Sequence, residues 1–206
     1  MALTTYAELK ASVADWLNRE DLAAAIPSFV ALAEADMNRK LKDWRMDVVL
    51  PVTLSGQYTA LPSGWLSTTR LNLTTPTSRL DLASDGALAE MRFQRGDLTG
   101  KPTHYAHTAG SLEVYPTPDE SYAAELVYRA KIASLSDAAP SNWLLAAAPD
   151  AYLYGALMQS APYLKDDSRI AIWGGLYAEA ITGLNEASEA AKSSAAGLRL
   201  RNVGMR

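Results

Sequence analysis

The chain has 206 residues, 49% of them hydrophobic and 20% charged, with a formal net charge of −4 and no cysteine. Such a chain buries its own core as one ordinary domain or two small ones, and without cysteine it has no disulfide scaffold, thiol nucleophile or cysteine-rich zinc site. The acidic balance argues against a surface that clings to nucleic acid throughout. No run approaches the roughly 20 apolar residues of a membrane span, and the opening Met-Ala-Leu-Thr-Thr lacks the basic-then-apolar pattern of a signal peptide.

Thr5 and Glu8 have the spacing of a capping box, and Leu9, Val13, Trp16 and Leu17 then recur at helical intervals. A second helix is expected from about Asp21 to Lys42, with Ile26, Phe29, Val30, Ala33, Met37 and Leu41 on one stripe and Pro27 near its first turn. Acids early in that helix and Arg39, Lys40 and Lys42 late in it suit the helix dipole.

The texture changes after Trp44. Between Arg45 and about Ile132 lie β-rich pieces: Val48 to Leu54, Tyr58 to Leu61, Trp65 to Leu73, Thr103 to His107, Leu112 to Tyr115 and Tyr122 to Lys131. Gly56, Pro62-Ser63-Gly64, Gly110 and Pro116-Thr117-Pro118-Asp119 are turn chemistry between them. Asp85 to Arg92 reads as a short helix inserted among the strands.

Helical spacing returns after Pro140-Ser141-Asn142, a cap for Trp143, and Pro149 restarts it. Leu153, Ala156, Leu157, Ser160 and Leu164 line one face. Asp166-Asp167-Ser168 then break the pattern, and a long last helix carries Ile170, Trp173, Tyr177, Ala180, Ile181, Leu184 and Ala187. The tail beyond Ser193 is rich in Ser, Ala and Gly, and from Lys192 on it holds Lys192, Arg199, Arg201 and Arg206 with no acid. It reads as extended or disordered until bound.

The order predicts an α+β fold. A discontinuous antiparallel helical bundle, two N-terminal and two C-terminal helices from 1–44 and 140–192, encloses a mainly antiparallel β insertion over 45–139, and 193–206 forms a flexible basic arm. No internal repeat is present.

No catalytic motif emerges. His104 and His107 point to opposite faces of a strand, so they do not converge on a metal, and surface histidines are the plainer reading. Gly-x-Ser-x-Gly is absent. Gly174-Gly175 has no preceding strand or following lysine, so close helix packing explains it better than phosphate binding. Asp166-Asp167 reads as a helix cap rather than a metal pair. Trp16, Trp44, Trp143, Trp173, Tyr152, Tyr154 and Tyr177 read as core or helix-interface packing, since a stacking platform for single strands needs interleaved cations. No cofactor and no metal are expected.

One ordered set of residues carries a resemblance. Gly110-Ser-Leu-Glu-Val-Tyr-Pro116-Thr-Pro-Asp119, Glu125-Leu-Val-Tyr128, Ser141-Asn-Trp-Leu-Leu145 and Ala148-Pro-Asp-Ala-Tyr-Leu-Tyr-Gly-Ala-Leu157 are followed by Tyr163-Leu-Lys-Asp-Asp-Ser-Arg169 and Trp173-x-x-x-Tyr177. With Tyr6-x-x-Leu9, Ile26-Pro-x-Phe29 and Ala33-Glu-Ala-Asp-Met-Asn-Arg39, the chain resembles the bacteriophage head-to-tail adaptor (connector) family, related to podovirus tail tubular protein A. The resemblance implies a non-enzymatic virion protein of the neck or tail, made in the host cytoplasm. It implies a dodecameric ring under the portal protein, tail or nozzle proteins on the other side, and genomic DNA passing through without sequence-specific binding. It places the portal contact in the last residues, where Arg199, Arg201, Val203, Met205 and Arg206 are the candidates. Two other readings stand beside it. A virion-associated cell-wall hydrolase needs two facing acids about 5 to 10 Å apart, and a DNA-binding module using the basic tail needs steep salt dependence.

Overall fold

In the computed structural model, which describes residues 3–164 and 168–193, helix α1 (Tyr6–Leu17) opens on the full capping box. The Thr5 hydroxyl accepts from the Glu8 amide, and the Glu8 carboxylate accepts from the Thr5 amide. Helix α2 (Ile26–Lys40) starts five residues later than the sequence suggested. Proline has no amide proton to give to the preceding turn, so with Pro27 in the first turn, the stretch before Ile26 forms only a short 3-10 turn at Glu20–Leu22. Asp21 therefore lies outside α2 and pairs with Arg19. The expected stripe of Ile26, Phe29, Val30, Ala33, Met37 and Leu41 is buried throughout.

After the β region come α4 (Trp143–Ala147), capped by the Asn142 side chain, and α5 (Pro149–Gln159), with Pro149 at its start. Where one longer helix was expected, α5 ends at Gln159 and a 3-10 turn covers Ala161–Tyr163. The last helix, α6, spans Arg169–Ser193. Chain contacts cluster into two compact units, one formed from the chain up to Trp44 and from Ile132 on, the other from Arg45–Lys131.

In the first unit α5 touches α1, α2, α4 and α6. Its buried residues Ala151, Tyr152, Leu153, Gly155, Ala156 and Leu157 run around most of its circumference, as befits a central helix. Gly155 is the tight point: a Cβ there would lie 3.1 Å from Met37 Cε and Tyr177 Cε2 and 3.2 Å from Ala33 Cβ. On α6, Trp173, Tyr177 and Ile181 are buried as expected, but Ala187 is exposed and Ser188 takes its place on the inner face. Close packing does not explain Gly174-Gly175, because a Cβ on Gly175 would meet nothing within 4 Å and one on Gly174 only Met158 Sδ at 3.9 Å.

The second unit is built on eight strands: β1 (Asp47–Leu54), β2 (Tyr58–Ala60), β3 (Trp65–Thr74), β4 (Thr77–Arg79), β5 (Asp81–Leu82), β6 (His104–Thr108), β7 (Ser111–Tyr115) and β8 (Tyr122–Ala130). They form two sheets, ordered β1-β8-β3-β4 and β2-β7-β6-β5, with β5–β6 as the parallel pair. One core joins the inner faces: Leu54, Leu71, Leu73, Leu126 and Tyr128 from the first sheet, Tyr105, Leu112 and Val114 from the second. Each fully buried leucine there contributes about 1.5–3 kcal/mol. The register sets this, since Val52 faces Ala124 and Leu50 faces Leu126, which turns Val49, Pro51 and Thr53 to the other side. Pro51 sits mid-way along β1, an outer strand.

The expected inserted helix is α3 (Asp85–Arg95), capped by Ser84 and three residues longer than its sequence pattern indicated. It covers the outer face of the second sheet through Leu88 and Met91, packed with Ala106 and Tyr115. Ala109 and Gly110, both at positive φ, close the two-residue β6–β7 hairpin, the backbone a tight right-twisted hairpin demands. The fold is α+β.

Candidate interaction surfaces

The residues proposed from sequence to contact a portal, Arg199, Arg201, Val203, Met205 and Arg206, lie outside the described residues, as do Asp166 and Asp167. Among the described residues, several polar side chains hold backbone in place.

The chain leaving the helical unit is held by α6. Asn185 Oδ1 accepts from the Lys42 amide at 2.7 Å, and Ser188 Oγ accepts from the Trp44 amide at 2.9 Å. Each side chain also donates back, Asn185 to the Lys40 carbonyl and Ser188 to the Lys42 carbonyl. The returning chain is held by α2. Asn38 Oδ1 accepts from the Ile132 amide at 2.8 Å, and Glu34 Oε1 accepts from the Leu135 amide at 2.7 Å. Ile132 and Leu135 are themselves buried.

Glu34 is also reached by the Tyr152 hydroxyl at 3.2 Å, which in turn accepts from Asn142 Nδ2 at 2.6 Å. Burial raises the Glu34 pKa above its ordinary value, against the lowering effect of hydrogen bonds from Leu135, Ser134 and Tyr152. Burial also raises the pKa of Tyr152. Asp36, two residues along α2, faces a different neighbour. Burial works against its carboxylate, but Lys40, Tyr177 and Arg39 donate to it and together hold its pKa below normal. These are two separate structural networks, not a facing pair of acids.

In the β unit, Arg92 of α3 reaches the sheet. Its Nε donates to Glu113 Oε1 at 3.1 Å, one terminal nitrogen donates to the Val114 carbonyl at 2.7 Å, and the other to Thr117 Oγ1 at 3.2 Å. Glu113 also accepts from Gln57 and Thr108. The Tyr115 hydroxyl donates to the Met91 and Gly96 carbonyls. The last turn of α3 is thus pinned on several sides, and Phe93, which that turn carries, is 87% exposed.

The histidines diverge as strand geometry requires, but His107 is not a surface residue. It is half-buried, with its ring centroid 4.9 Å from Trp65 and 5.7 Å from Tyr105, and Nε2 is 2.9 Å from Thr68 Oγ1. It therefore links the two sheets of its unit. His104 contacts Thr103. Among the described residues no group of three or more His, Cys, Asp or Glu side chains is placed to hold a metal, and no helix is long and apolar enough to cross a membrane.

The aromatics divide. Trp173, Tyr152 and Tyr177 are buried, whereas Trp16 and Trp44 are about half-exposed and are not core residues. Trp16 of α1 packs edge-on to Tyr154 of α5, a helix-interface contact. Sequence reasoning missed Phe93, Asn185 and Ser188. A phenylalanine on a charged helix was a legible signal, while two polar residues within an apolar period gave none.

A family model described as SU10 adaptor protein matches residues 4–201, a span that takes in both compact units. No curated protein matches the chain.

Proposed function

Since this chain belongs to the SU10 adaptor protein family, whose members are structural adaptors of the bacteriophage neck, we propose that it joins capsid to tail as a ring-forming connector beneath the portal protein. The single observation that carries this reading is the family match over almost the whole chain. In this reading twelve copies surround a channel through which genomic DNA passes, and tail or nozzle proteins attach on the far side.

The physical fit supports it. Three of the buried carboxylates, Glu34, Asp36 and Glu113, are each held by structural partners rather than poised for proton transfer. A net charge of −4 gives packaged DNA little to adhere to, because phosphate binding needs clustered cations. The basic end, with Arg199, Arg201 and Arg206 beside Val203 and Met205, suits capture by an acidic portal surface with apolar notches.

Truncation after Ser193 tests it. The shortened chain keeps the wild-type melting curve but no longer co-sediments with portal rings. Mass measurement of the free subunit, and then of its mixture with portal, gives a ring in the mixture. Undiminished co-sedimentation of the truncated chain refutes the arm's role, and a mixture that yields no higher-mass species refutes the connector.

A further inference from the structure

We infer that copies of this chain join head to tail through the β unit, with Phe93 of one copy seated in a trough on the first sheet of the next, a contact that rests on the connector reading above. The trough occupies the face of that sheet turned away from the core. Val49, Pro51 and Thr53 of β1, Thr74 of β3, and Ala123 and Glu125 of β8 line about 260 Å³ of it. The strand alternation that sends Leu54 and Leu126 inward sends these side chains outward. Val49 is 58% exposed there.

A lone exposed apolar side chain is ordinary. Here a protrusion and a recess stand in fixed relation. One core lies between the two sheets, and α3 packs on the outward face of the second sheet through Leu88 and Met91. Knob and trough are therefore carried on opposite outward faces of one compact unit. Phe93 is 87% exposed, and a Cβ added at Gly86 or Gly96 beside it would meet nothing within 4 Å, so the ring stands proud of its helix. Like faces fit poorly: α3 against α3 sets ring on ring with no recess, and trough against trough encloses a void. Unlike faces match. A contact between unlike faces repeats in one direction from copy to copy, which is how a ring closes.

Both sides are shaped before they meet. Arg92 is tied to Glu113, Val114 and Thr117, and Tyr115 holds the carbonyls of Met91 and Gly96, which fixes the turn bearing Phe93. The trough floor is strand, with Val49 and Pro51 contributing stiff side chains. Pre-organised aromatic anchors lose little freedom on binding. The charges also match. Asp97 is paired with Arg92, which leaves Glu90 and Arg95 exposed on the two flanks of the Phe93 turn. On the first sheet Arg70 and Glu125 pair at 2.9 Å, with 54% and 37% of their side chains exposed. Docking brings Glu90 toward Arg70 and Arg95 toward Glu125, extending that pair into a network of alternating sign.

The natural chain has no cysteine, so introduced thiols report the contact cleanly. Full-length chain carrying Ala89→Cys beside the knob and Thr53→Cys beside the trough, assembled with portal and treated with a short bis-maleimide, is expected to give a ladder of linked chains. Either substitution alone gives no linked species. Adding Phe93→Ala to the double variant removes the ladder. In the otherwise natural chain Phe93→Ala and Ala123→Lys each keep the wild-type melting curve and lower the yield of rings tenfold or more. Dimers from Ala89→Cys alone, rings without a ladder, or a wild-type ring yield from both substitutions overturns the contact, while the rings themselves still stand for the connector. A wild-type chain that forms no ring with portal sinks both readings together.

Discussion

Glu34 and Asn38, one helical turn apart on α2, accept the backbone amides of Leu135 and Ile132, so a single helix face fixes the chain where it re-enters the helical unit. The arrangement is a side-chain substitute for a strand partner, because the returning segment has no sheet of its own to bond with. A buried amide without an acceptor costs about 1–3 kcal/mol.

Removing that acceptor is therefore expensive. Glu34→Ala strands both the Leu135 amide and the Tyr152 hydroxyl and lowers stability by about 2–4 kcal/mol. Glu34→Gln, which keeps an acceptor oxygen, costs less. The sign with pH follows from the raised pKa: the folded protein holds this proton more readily than the unfolded chain, so the contribution is greatest in acid and fades as pH rises through the folded value. Glutamine removes that dependence. Urea denaturation of both variants across pH measures it.

Two glycines in the helical unit respond oppositely to alanine. At Gly155 the added methyl meets Met37, Ala33 and a Tyr177 ring tethered to Asp36, so overpacking of about 1–3 kcal/mol outweighs the gain in helix propensity. At Gly175 nothing obstructs the methyl, and Gly175→Ala stabilises by about 0.5–1 kcal/mol. Paired thermal melts give the two signs directly.

The ion pair under α3 is nearly closed to water, with 13% of the Arg92 side chain and 8% of the Glu113 side chain exposed. Glu113→Ala removes the acceptor of Nε but leaves the guanidinium with Asp97, Val114 and Thr117, and lowers stability by about 1–3 kcal/mol. Amide exchange in α3 rises with it. Glu113→Gln retains an acceptor for Gln57 or Thr108 and falls between alanine and the wild type.

His107 makes the β unit sensitive to acid. Burial lowers its pKa, so below roughly pH 6.5 the unfolded chain takes up a proton that the folded one resists, and stability falls as pH drops. His107→Gln flattens the melting temperature over that interval. A wild-type curve no steeper than that of the variant disproves the linkage.

Much of the architecture was legible because it rests on local signals. Thr5 with Glu8, Asn142 and Pro149 announce helix starts through backbone chemistry alone, and Gly110 marks its hairpin. Strands β4 and β5 were not legible, since Thr77–Arg79 and Asp81–Leu82 are short and polar and owe their conformation to neighbouring strands. Ser188 was hidden for another reason. Apolar periodicity nominated Ala187, but the inner position needed a hydroxyl for the Trp44 amide, a demand made by residues far away in sequence. Gly155 was equally hidden, since three side chains from two other helices create its constraint. The last residues, which bear the proposed portal contact, lie outside the described structure.

Pro51 carries a consequence for the protein before it meets any neighbour. Standing in the middle of an outer strand, it has no amide hydrogen to offer, so an incoming strand finds the ladder broken at its centre. Copies of the chain are thereby hindered from adding edge to edge along this strand.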